Sequence, residues 1–151
     1  MSFEQFHLDP RIARGVKSTG FSEPTPIQQQ ALPVVLKGRD VLGIAQTGTG
    51  KTAAFALPIL NRLIQNPSRH VRALILSPTR ELAEQIHDMI SELAQHTRIR
   101  SLTVYGGVSR GPQIDGLRRG AEIVVACPGR LLDHLGEGVI DLSHVEILVL
   151  D

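Results

Sequence analysis

Short apolar runs alternate with helical patterns along most of this sequence, and this alternation constrains the fold more than any other feature. The runs with the length and composition of buried strands are residues 41–45, 73–76, 101–105, 122–126 and 146–150. The clearest helical pattern covers Thr79 to Gln95. Its apolar face consists of Leu82, Ile86, Met89, Ile90 and Leu93. Strands that alternate with helices indicate an α/β protein with a mostly parallel sheet flanked by helices.

The stretch before the first strand pattern is different, because it holds helical patterns only. Asp9 followed by Pro10 is typical of an N-cap and a first helical residue, and Gly20 is placed to end that helix. Thr25 and Pro26 open a second helical pattern in the same way. We therefore expect a small helical annex over residues 1–38 and a main domain over residues 39–151.

Bulk composition narrows the class of protein without deciding its function. The 151 residues are 42% apolar and 21% charged, as in an ordinary soluble domain, and their net charge of +1 neither favours nor excludes nucleic acid. No apolar run approaches the length of a membrane span and no signal-peptide pattern is present, so we expect a cytoplasmic protein without a membrane partner. The lone Cys127 cannot form an internal disulfide, and the six histidines show no metal-ligand spacing, which argues against structural zinc.

A glycine-rich stretch, AQTGTGKT, lies between the first strand pattern and a helical pattern. Its glycines can turn backbone amides inward around phosphate oxygens, and the dipole of the following helix adds positive charge. Lys51 would contact the outer phosphates and Thr52 would offer its hydroxyl to Mg²⁺. The predicted nucleotide-binding residues of this loop are Ala45, Gln46, Thr47, Gly48, Thr49, Gly50, Lys51 and Thr52, with Ala45 where the pattern usually has glycine. A flexible turn with an incidental lysine and a nucleotide kinase are the alternatives.

Further motifs resemble those of one helicase family. In order, the motifs are GFSEPTPIQ (20–28), AQTGTGKT (45–52), SPTRELAEQ (77–85), YGG (105–107), CPGR (127–130) and VLD (149–151). Together they resemble the amino-terminal domain of a bacterial-type DEAD-box RNA helicase. Nucleotide kinases have no counterpart of the first and third motifs. The resemblance implies a RecA-like P-loop domain, preceded by a small helical Q-motif annex, that uses ATP and Mg²⁺ in RNA unwinding or remodelling.

The first motif has two interpretations. The resemblance implies that Gln28 recognises adenine, and an amide suits this role because it both donates and accepts hydrogen bonds. Thr25 and Gln28 also have the spacing of a capping box, in which Gln28 reaches back to the N-cap amide, and spacing alone favours this role. In relatives an upstream aromatic residue stacks on the base. Phe3 is at the corresponding distance, Phe6 is its competitor, either could belong to the core, and Phe21 is assigned to the same site.

Three motifs follow strand patterns directly, and ligands bind at the carboxyl ends of strands in open parallel sheets. The resemblance implies that these motifs hold the sugar-phosphate backbone of one RNA strand, with little sequence specificity. The predicted RNA-binding residues are Pro78, Thr79, Arg80, Gly106, Gly107, Pro128, Gly129 and Arg130. Only 3% of residues are aromatic, which agrees with backbone recognition rather than base stacking.

Each of these motifs also has a simpler interpretation when it is taken alone. Thr79 and Pro128 could start helices, the two glycines of YGG could form a turn, and Arg80 could pair with Glu84 on its own helix.

One position departs from the family, because Cys127 stands where relatives have threonine. A thiol is a weak donor, so a hydroxyl–phosphate bond of about 1.5 to 3 kcal/mol is reduced or lost, and RNA affinity should fall modestly.

The last motif ends at Asp151. The resemblance implies that Asp151 holds Mg²⁺ through a water opposite Thr52, which makes Lys51 and Asp151 the predicted catalytic residues. The glutamate that follows this aspartate in relatives, the Ser-Ala-Thr motif and the second RecA-like domain with its arginine finger are not in the sequence. An arginine finger contributes about 10³ to 10⁵ in rate, so we expect nucleotide binding without hydrolysis or unwinding. The alternative is a non-catalytic nucleotide-gated RNA-binding module that works with a partner.

The missing motif also bears on the sheet. In relatives the strand carrying Ser-Ala-Thr lies between the phosphate-loop strand and the strand that corresponds to residues 146–150. Without it, buried backbone groups lack partners at about 1 to 3 kcal/mol each. We therefore expect the parent chain to continue into a second RecA-like domain, and residues 1–151 alone to be unstable or rearranged.

Overall fold

The computed structural model describes residues 2–151, and these residues form two compact units. The first unit contains the chain up to residue 66 together with residues 89–98, and the second contains residues 67–88 and 99–151. Among the described residues, no helix combines the length and the apolar character needed to cross a bilayer.

The first unit is helical. A 3-10 turn at Phe3–Phe6 precedes α1 (Pro10–Ser18), α2 (Pro26–Val35) and α3 (Lys51–Leu63). The predicted start of α1 is confirmed, because the Asp9 carboxylate accepts the backbone N–H of Arg11 at 2.9 Å. Gly20 follows the end of this helix with a φ of +84°. A left-handed backbone of this kind suits glycine and ends a helix.

Helix α3 packs against both α1 and α2. The backbone N–H of Asp9 donates to the side-chain oxygen of Asn61 at 2.8 Å, which joins the start of α1 to α3. A second close approach lies at Gly15 in α1. A Cβ added to Gly15 would stand 2.0 Å from the carbonyl oxygen of Leu93. The backbone of α1 can therefore lie this near to Leu93 only because residue 15 has no side chain.

Gly15→Ala is expected to destabilise the protein by about 1 to 3 kcal/mol, because the added methyl group forces backbone atoms apart. An ordinary helical Gly→Ala change has the opposite sign, since alanine favours the helix by about 1 kcal/mol. Urea unfolding followed by circular dichroism measures the difference. Gly136→Ala is the matched control, because no atom lies within 4 Å of its added Cβ. A Gly15→Ala protein as stable as Gly136→Ala would contradict the prediction.

The second unit is built on a parallel sheet. Its strands are β1 (Ala73–Leu76), β2 (Ser101–Val104), β3 (Ile123–Ala126) and β4 (Ile147–Leu150), in the order β2-β3-β1-β4. All three pairings are parallel. Helices α4 (Arg80–Leu93), α5 (Gly111–Arg118) and α6 (Pro128–Gly136) follow β1, β2 and β3, and residues 89–93 of α4 belong to the first unit. The four strand predictions after residue 70 and the helix prediction after Thr79 are therefore confirmed, with ends that differ by one or two residues.

One cluster of buried apolar residues lies against the sheet of this unit. It contains Val71, Leu74, Val104, Val124, Ala126, Leu131 and Ile140. All four residues of β3 are buried, whereas β4 alternates between half-buried and exposed positions. In β4 the side chains of Leu148 and Leu150 are 57% and 73% exposed. Within residues 2–151, β4 pairs with β1 and with no other strand.

The predicted first strand, residues 41–45, is wrong for this structure. These residues form no strand, and the side chains of Leu42 and Ile44 are each 90% exposed. A strand requires ladder hydrogen bonds to a neighbouring strand. In the described part of the chain no strand pairs with this segment, so its apolar composition is not sufficient to place it in the sheet.

A buried ion-pair group lies at the opposite end of the sheet from the predicted motifs. Arg72, Glu122 and Glu146 directly precede β1, β3 and β4. The Arg72 guanidinium lies 2.6 Å from Glu146 and 3.4 Å from Glu122. Burial raises the pKa of Glu122, and the nearby Arg72 charge opposes that rise. One arginine therefore connects the starts of three strands.

Candidate functional site

The predicted phosphate loop, residues 45–52, leads into helix α3, which begins after a glycine N-cap. Gly48 and Gly50 have φ values of +82° and +86°, and Gly50 is the N-cap of α3. No side chain caps this helix. The Thr49 hydroxyl donates to the Gln46 carbonyl at 2.6 Å, which closes the turn before Gly50. The first amides of α3 are therefore not used by a side chain, and a helix N-terminus of this kind suits an anion.

Gln28 contacts this loop directly. Its side chain is buried, and its Oε1 accepts the backbone N–H of Thr25 at 3.0 Å while its Nε2 donates to the Gly50 carbonyl at 3.1 Å. The predicted capping bond of Gln28 is therefore confirmed. Thr25 and Gln28 have the arrangement of a capping box, in which the buried Thr25 Oγ1 lacks a hydrogen bond of ordinary geometry. The adenine role of Gln28 stays a prediction.

Gly50 also packs closely against two side chains. A Cβ at Gly50 would lie 2.5 Å from Gln28 Nε2 and 2.9 Å from Thr25 Oγ1. A side chain at residue 50 would therefore force Gln28 and Thr25 out of their present positions. A triphosphate fits this arrangement, because the amides of a glycine-capped helix start are open and Lys51 is the first residue of α3.

Three phenylalanines cluster at the amino terminus of the first unit. Phe3 lies edge-on to Phe6 with ring centroids 6.1 Å apart, and it stacks on Phe21 at 6.4 Å. All three are half-buried, so none is a fully buried core residue. The stacking of one of these rings on the adenine base stays a prediction.

The predicted RNA-binding motifs of the second unit lie at the carboxyl ends of its strands. Three backbone amides continue the strand ladders there. Ser77 donates to Ala126, Cys127 donates to Val104 and Asp151 donates to Leu76, at 2.9, 2.8 and 3.0 Å. The predicted position of the motifs at the carboxyl ends of the strands is therefore confirmed, and their contact with RNA stays a prediction.

The simpler interpretations of these motifs are also confirmed as geometry. The Thr79 hydroxyl accepts the backbone N–H of Leu82 at 3.2 Å, Pro128 is the first residue of α6, and Gly107 turns with a φ of +80°. Cys127 is the N-cap of α6 without a side-chain bond. Burial, reinforced by the Glu81 charge, raises the pKa of the Cys127 thiol, which therefore stays neutral.

Arg80 and Glu84 both contact Tyr105. The Arg80 guanidinium lies over the Tyr105 ring at 5.7 Å, a cation–π arrangement. Glu84 accepts hydrogen bonds from the Tyr105 hydroxyl at 2.7 Å and from the Thr103 hydroxyl at 3.0 Å. The bond to Glu84 is the largest cause that raises the pKa of Tyr105. Glu84 thus binds Thr103 of β2 and Tyr105 directly after it, rather than pairing with Arg80.

Arg130 is held by two neighbours that the sequence did not predict. Its side chain is only 11% exposed. Nη2 donates to the Val108 carbonyl at 3.0 Å, and Nη1 donates to Gln113 Oε1 at 3.3 Å. Gln113 is itself buried and also bonds to His134. Gln113 and His134 lie outside the motifs, and no local pattern in the sequence predicts this group.

Oxygen donors for Mg²⁺ occur in both units. The Thr52 hydroxyl belongs to the first turn of α3, and Asp151 is an exposed carboxylate directly after β4. A hydroxyl and a carboxylate are the hard donors that Mg²⁺ prefers, so the donor types fit. The two residues belong to different units, and their joint role in metal binding stays a prediction.

Two histidines that are far apart in the sequence lie together at the amino ends of β1 and β4. Ala73 pairs with Ile147, so His70 and His144 stand at equal distances before the two strands. Their rings stack 3.7 Å apart. With Asp141 they bring three ligand atoms within 4.8 Å of one another, and all three residues are exposed. Strand register, rather than sequence spacing, brings these side chains together.

A parallel sheet with ligand motifs at the carboxyl ends of its strands, together with the glycine-capped loop, defines a RecA-like P-loop α/β fold. More specifically, the chain belongs to the DEAD/DEAH box helicase family, whose pattern matches residues 25–151. The family assignment made from the motifs is confirmed.

Individual relatives agree with this assignment. The chain is 48% identical to the ATP-dependent RNA helicase CshA of Listeria monocytogenes, over 99% of this chain and 28% of that protein. It is 47% identical to the DEAD-box ATP-dependent RNA helicase RhpA of Helicobacter pylori, over 99% of this chain and 30% of that protein. A crystal structure of a hypothetical ATP-dependent RNA helicase from Sulfolobus tokodaii matches 95% of this chain and 41% of that chain, with a TM-score of 0.87 and 39% identity. The chain thus spans less than a third of these two curated relatives.

Proposed function

We propose that this chain is the ATP- and RNA-binding domain of an ATP-dependent RNA helicase, which couples ATP hydrolysis to local RNA unwinding or remodelling. The observation that carries the proposal is the contact between the two halves of the predicted nucleotide site. Gln28, the proposed adenine residue, donates to the carbonyl of Gly50 in the phosphate loop at 3.1 Å. A nucleotide that binds both elements would touch residues that are already adjacent.

In this proposal the first unit binds the nucleotide. Backbone amides from Gly48 to Thr52 surround the phosphates, Lys51 neutralises their charge, and Gln28 recognises the base. Thr52 and Asp151 would hold Mg²⁺, which would supply positive charge against the phosphates.

The second unit binds RNA in this proposal. Amides at the starts of α4 and α6 and in the Gly106–Gly107 turn contact phosphates, and Arg80 and Arg130 add positive charge. These contacts read the backbone and not the bases, which agrees with the low aromatic content of 3%. A second RecA-like domain as partner and a cytoplasmic location complete the proposal. The lengths of the relatives support the former, since the chain covers 28% of CshA.

Isothermal calorimetry with ADP and ATP tests the nucleotide site. The 151-residue chain is expected to bind both, and Lys51→Ala should weaken binding about 10- to 100-fold, because a charge-assisted bond of about 1.5 to 3 kcal/mol is lost. Lys37→Ala is the matched control, since Lys37 is exposed and lies outside the loop. Absence of heat for the unmodified chain, or equal affinities for both variants, would contradict the proposal.

RNA-stimulated phosphate release by a protein extended with the second domain separates the enzyme from the alternative. Release supports the helicase, whereas nucleotide binding without release would favour a non-catalytic nucleotide-gated module.

A further inference from the structure

Buried polar side chains connect the motifs of the second unit. We infer that Gln113 and His134 are positioning residues, which hold Arg130 and the Gly106–Gly107 turn at a fixed separation for binding of the RNA backbone. This inference rests on the proposed function. It adds two residues that lie outside every motif by which the chain resembles its family.

Gln113 joins three elements through one amide group. It lies in α5 with 4% exposure. Its Nε2 donates to the carbonyl of Tyr105, directly after β2, at 2.9 Å. Its Oε1 lies 3.3 Å from Nη1 of Arg130 and 2.7 Å from Nε2 of His134, both in α6. Because an amide oxygen has two lone pairs, these two contacts use its full accepting capacity.

His134 is the most deeply buried member of this group, with no exposed surface. Since the Gln113 oxygen accepts, the His134 Nε2 must carry the proton, and its Nδ1 is left without a hydrogen-bond partner. Burial lowers the pKa of His134, and the positive charges of Arg130 and Arg110 lower it further. The imidazole is therefore a neutral donor that keeps the Gln113 amide in one orientation.

Arg130 is the member that connects the group to the turn. Besides its bond to Gln113, it donates to the carbonyl of Val108, the residue that follows Gly107, at 3.0 Å. The nearest carboxylate oxygen, that of Asp133, lies 3.9 Å from its Nε. The guanidinium is therefore hydrogen-bonded to Gln113 in α5 and to Val108, directly after the turn.

These two hydrogen bonds of Arg130 matter because RNA phosphates recur at a regular spacing along the strand. Two protein groups can contact neighbouring phosphates together only if they keep their own separation. Groups that are already ordered lose less conformational entropy on binding, so a preorganised pair binds more tightly. In this way the uncharged Gln113 and His134 contribute to RNA affinity without touching RNA.

Fluorescence anisotropy with a dye-labelled oligouridylate tests the inference on the 151-residue chain in the presence of ATP. Gln113→Leu keeps the side-chain size but removes all three hydrogen bonds. We expect its Kd for the oligomer to rise about tenfold, as for the loss of one fixed charge-assisted bond. The slope of log K against log salt should fall by about one, because Arg130 no longer makes a defined phosphate contact. ATP affinity should not change, since the phosphate loop belongs to the first unit.

Two further variants separate positioning from general stability. In a double-mutant cycle, Gln113→Leu combined with Arg130→Gln should weaken binding little more than Arg130→Gln alone, because both changes remove the same contact. His134→Phe, which retains an aromatic ring, should give a smaller effect in the same direction if Gln113→Leu fails to fold. Gln95→Leu is the control for a Gln→Leu change, because Gln95 is exposed in the first unit.

The possible outcomes are distinct. Additive effects in the cycle, or an unchanged salt slope with affinity that falls only as the melting temperature falls, would overturn the inference and leave Gln113 as an ordinary buried polar residue. If the unmodified chain binds ATP but not oligouridylate, the RNA part of the proposed function is overturned, and this inference with it.

Discussion

Arg72→Ala is expected to lower the free energy of unfolding by about 3 to 5 kcal/mol at neutral pH, since removing one partner of a buried ion pair strands the other charge. Glu122, whose side chain is 6% exposed, lies 3.4 Å from the Arg72 guanidinium. Glu146 is more exposed, at 31%. The starts of β1, β3 and β4 would lose their common cation. Urea unfolding at pH 7 measures the effect.

The loss should depend on pH in a defined direction. Burial raises the pKa of Glu122 in the folded protein, and Arg72 opposes that rise. Without Arg72 the folded-state pKa rises further, so the folded variant binds more protons than the unfolded chain, and its stability falls as pH rises above the ordinary glutamate range. The difference between variant and parent should therefore shrink on acidification from pH 7 towards pH 5.

Matched variants test the cause. Arg100→Ala removes an exposed arginine whose guanidinium donates to the Arg119 carbonyl at 2.8 Å, and it should cost less than about 1 kcal/mol. Arg72→Met with Glu122→Leu removes both buried charges and should recover part of the loss. An Arg72→Ala loss no larger than that of Arg100→Ala, or one that does not vary with pH, would contradict the explanation.

Gly50→Ala is expected to remove nucleotide binding that calorimetry can detect. Its φ of +86° is strained for alanine, and the new Cβ would lie 2.5 Å from Gln28 Nε2 and 2.9 Å from Thr25 Oγ1. The Gln28 side chain must therefore shift and lose its bond to the Gly50 carbonyl, or the loop must move away from α2. The first movement displaces the proposed adenine contact, and the second displaces the amides at the start of α3 from the position that we propose for phosphate.

Gly48→Ala separates strain from crowding. Its φ of +82° is similar, but no atom lies within 4 Å of the added Cβ. Both variants carry the strain of a left-handed backbone, about 1 to 2 kcal/mol, and only Gly50→Ala carries the clash. We expect Gly48→Ala to retain weakened ADP binding and to melt at a higher temperature than Gly50→Ala. Equal binding and equal melting temperatures in the two variants would show that contact with Gln28 is unimportant.

Local signals in the sequence predicted most of the architecture. The strands after residue 70 and α4 followed from periodicity, and α1 followed from the pair Asp9-Pro10. The same reasoning failed at residues 41–45, which have strand composition but no pairing partner within residues 2–151. An apolar run favours the strand conformation, but a strand forms only where another backbone supplies hydrogen bonds.

The candidate sites divide in the same way. Motif residues such as Lys51 and Arg130 could be predicted, because the phosphate loop and the CPGR motif are each contiguous in sequence. Gln113 and His134 could not be assigned a role. They are 21 residues apart, and their bond exists only because the fold brings α5 and α6 together.

The sequence by itself determined the α/β class, the family and the carboxyl-end position of the motifs, because these depend on residue type and on spacing within short segments. Only the tertiary structure decided that Gln28 donates a hydrogen bond to Gly50 and that Arg72 forms ion pairs with two carboxylates. It also decided that the rings of His70 and His144 stack. The physical reason is that burial and strand register join residues far apart in the chain, and neither quantity is encoded in local spacing.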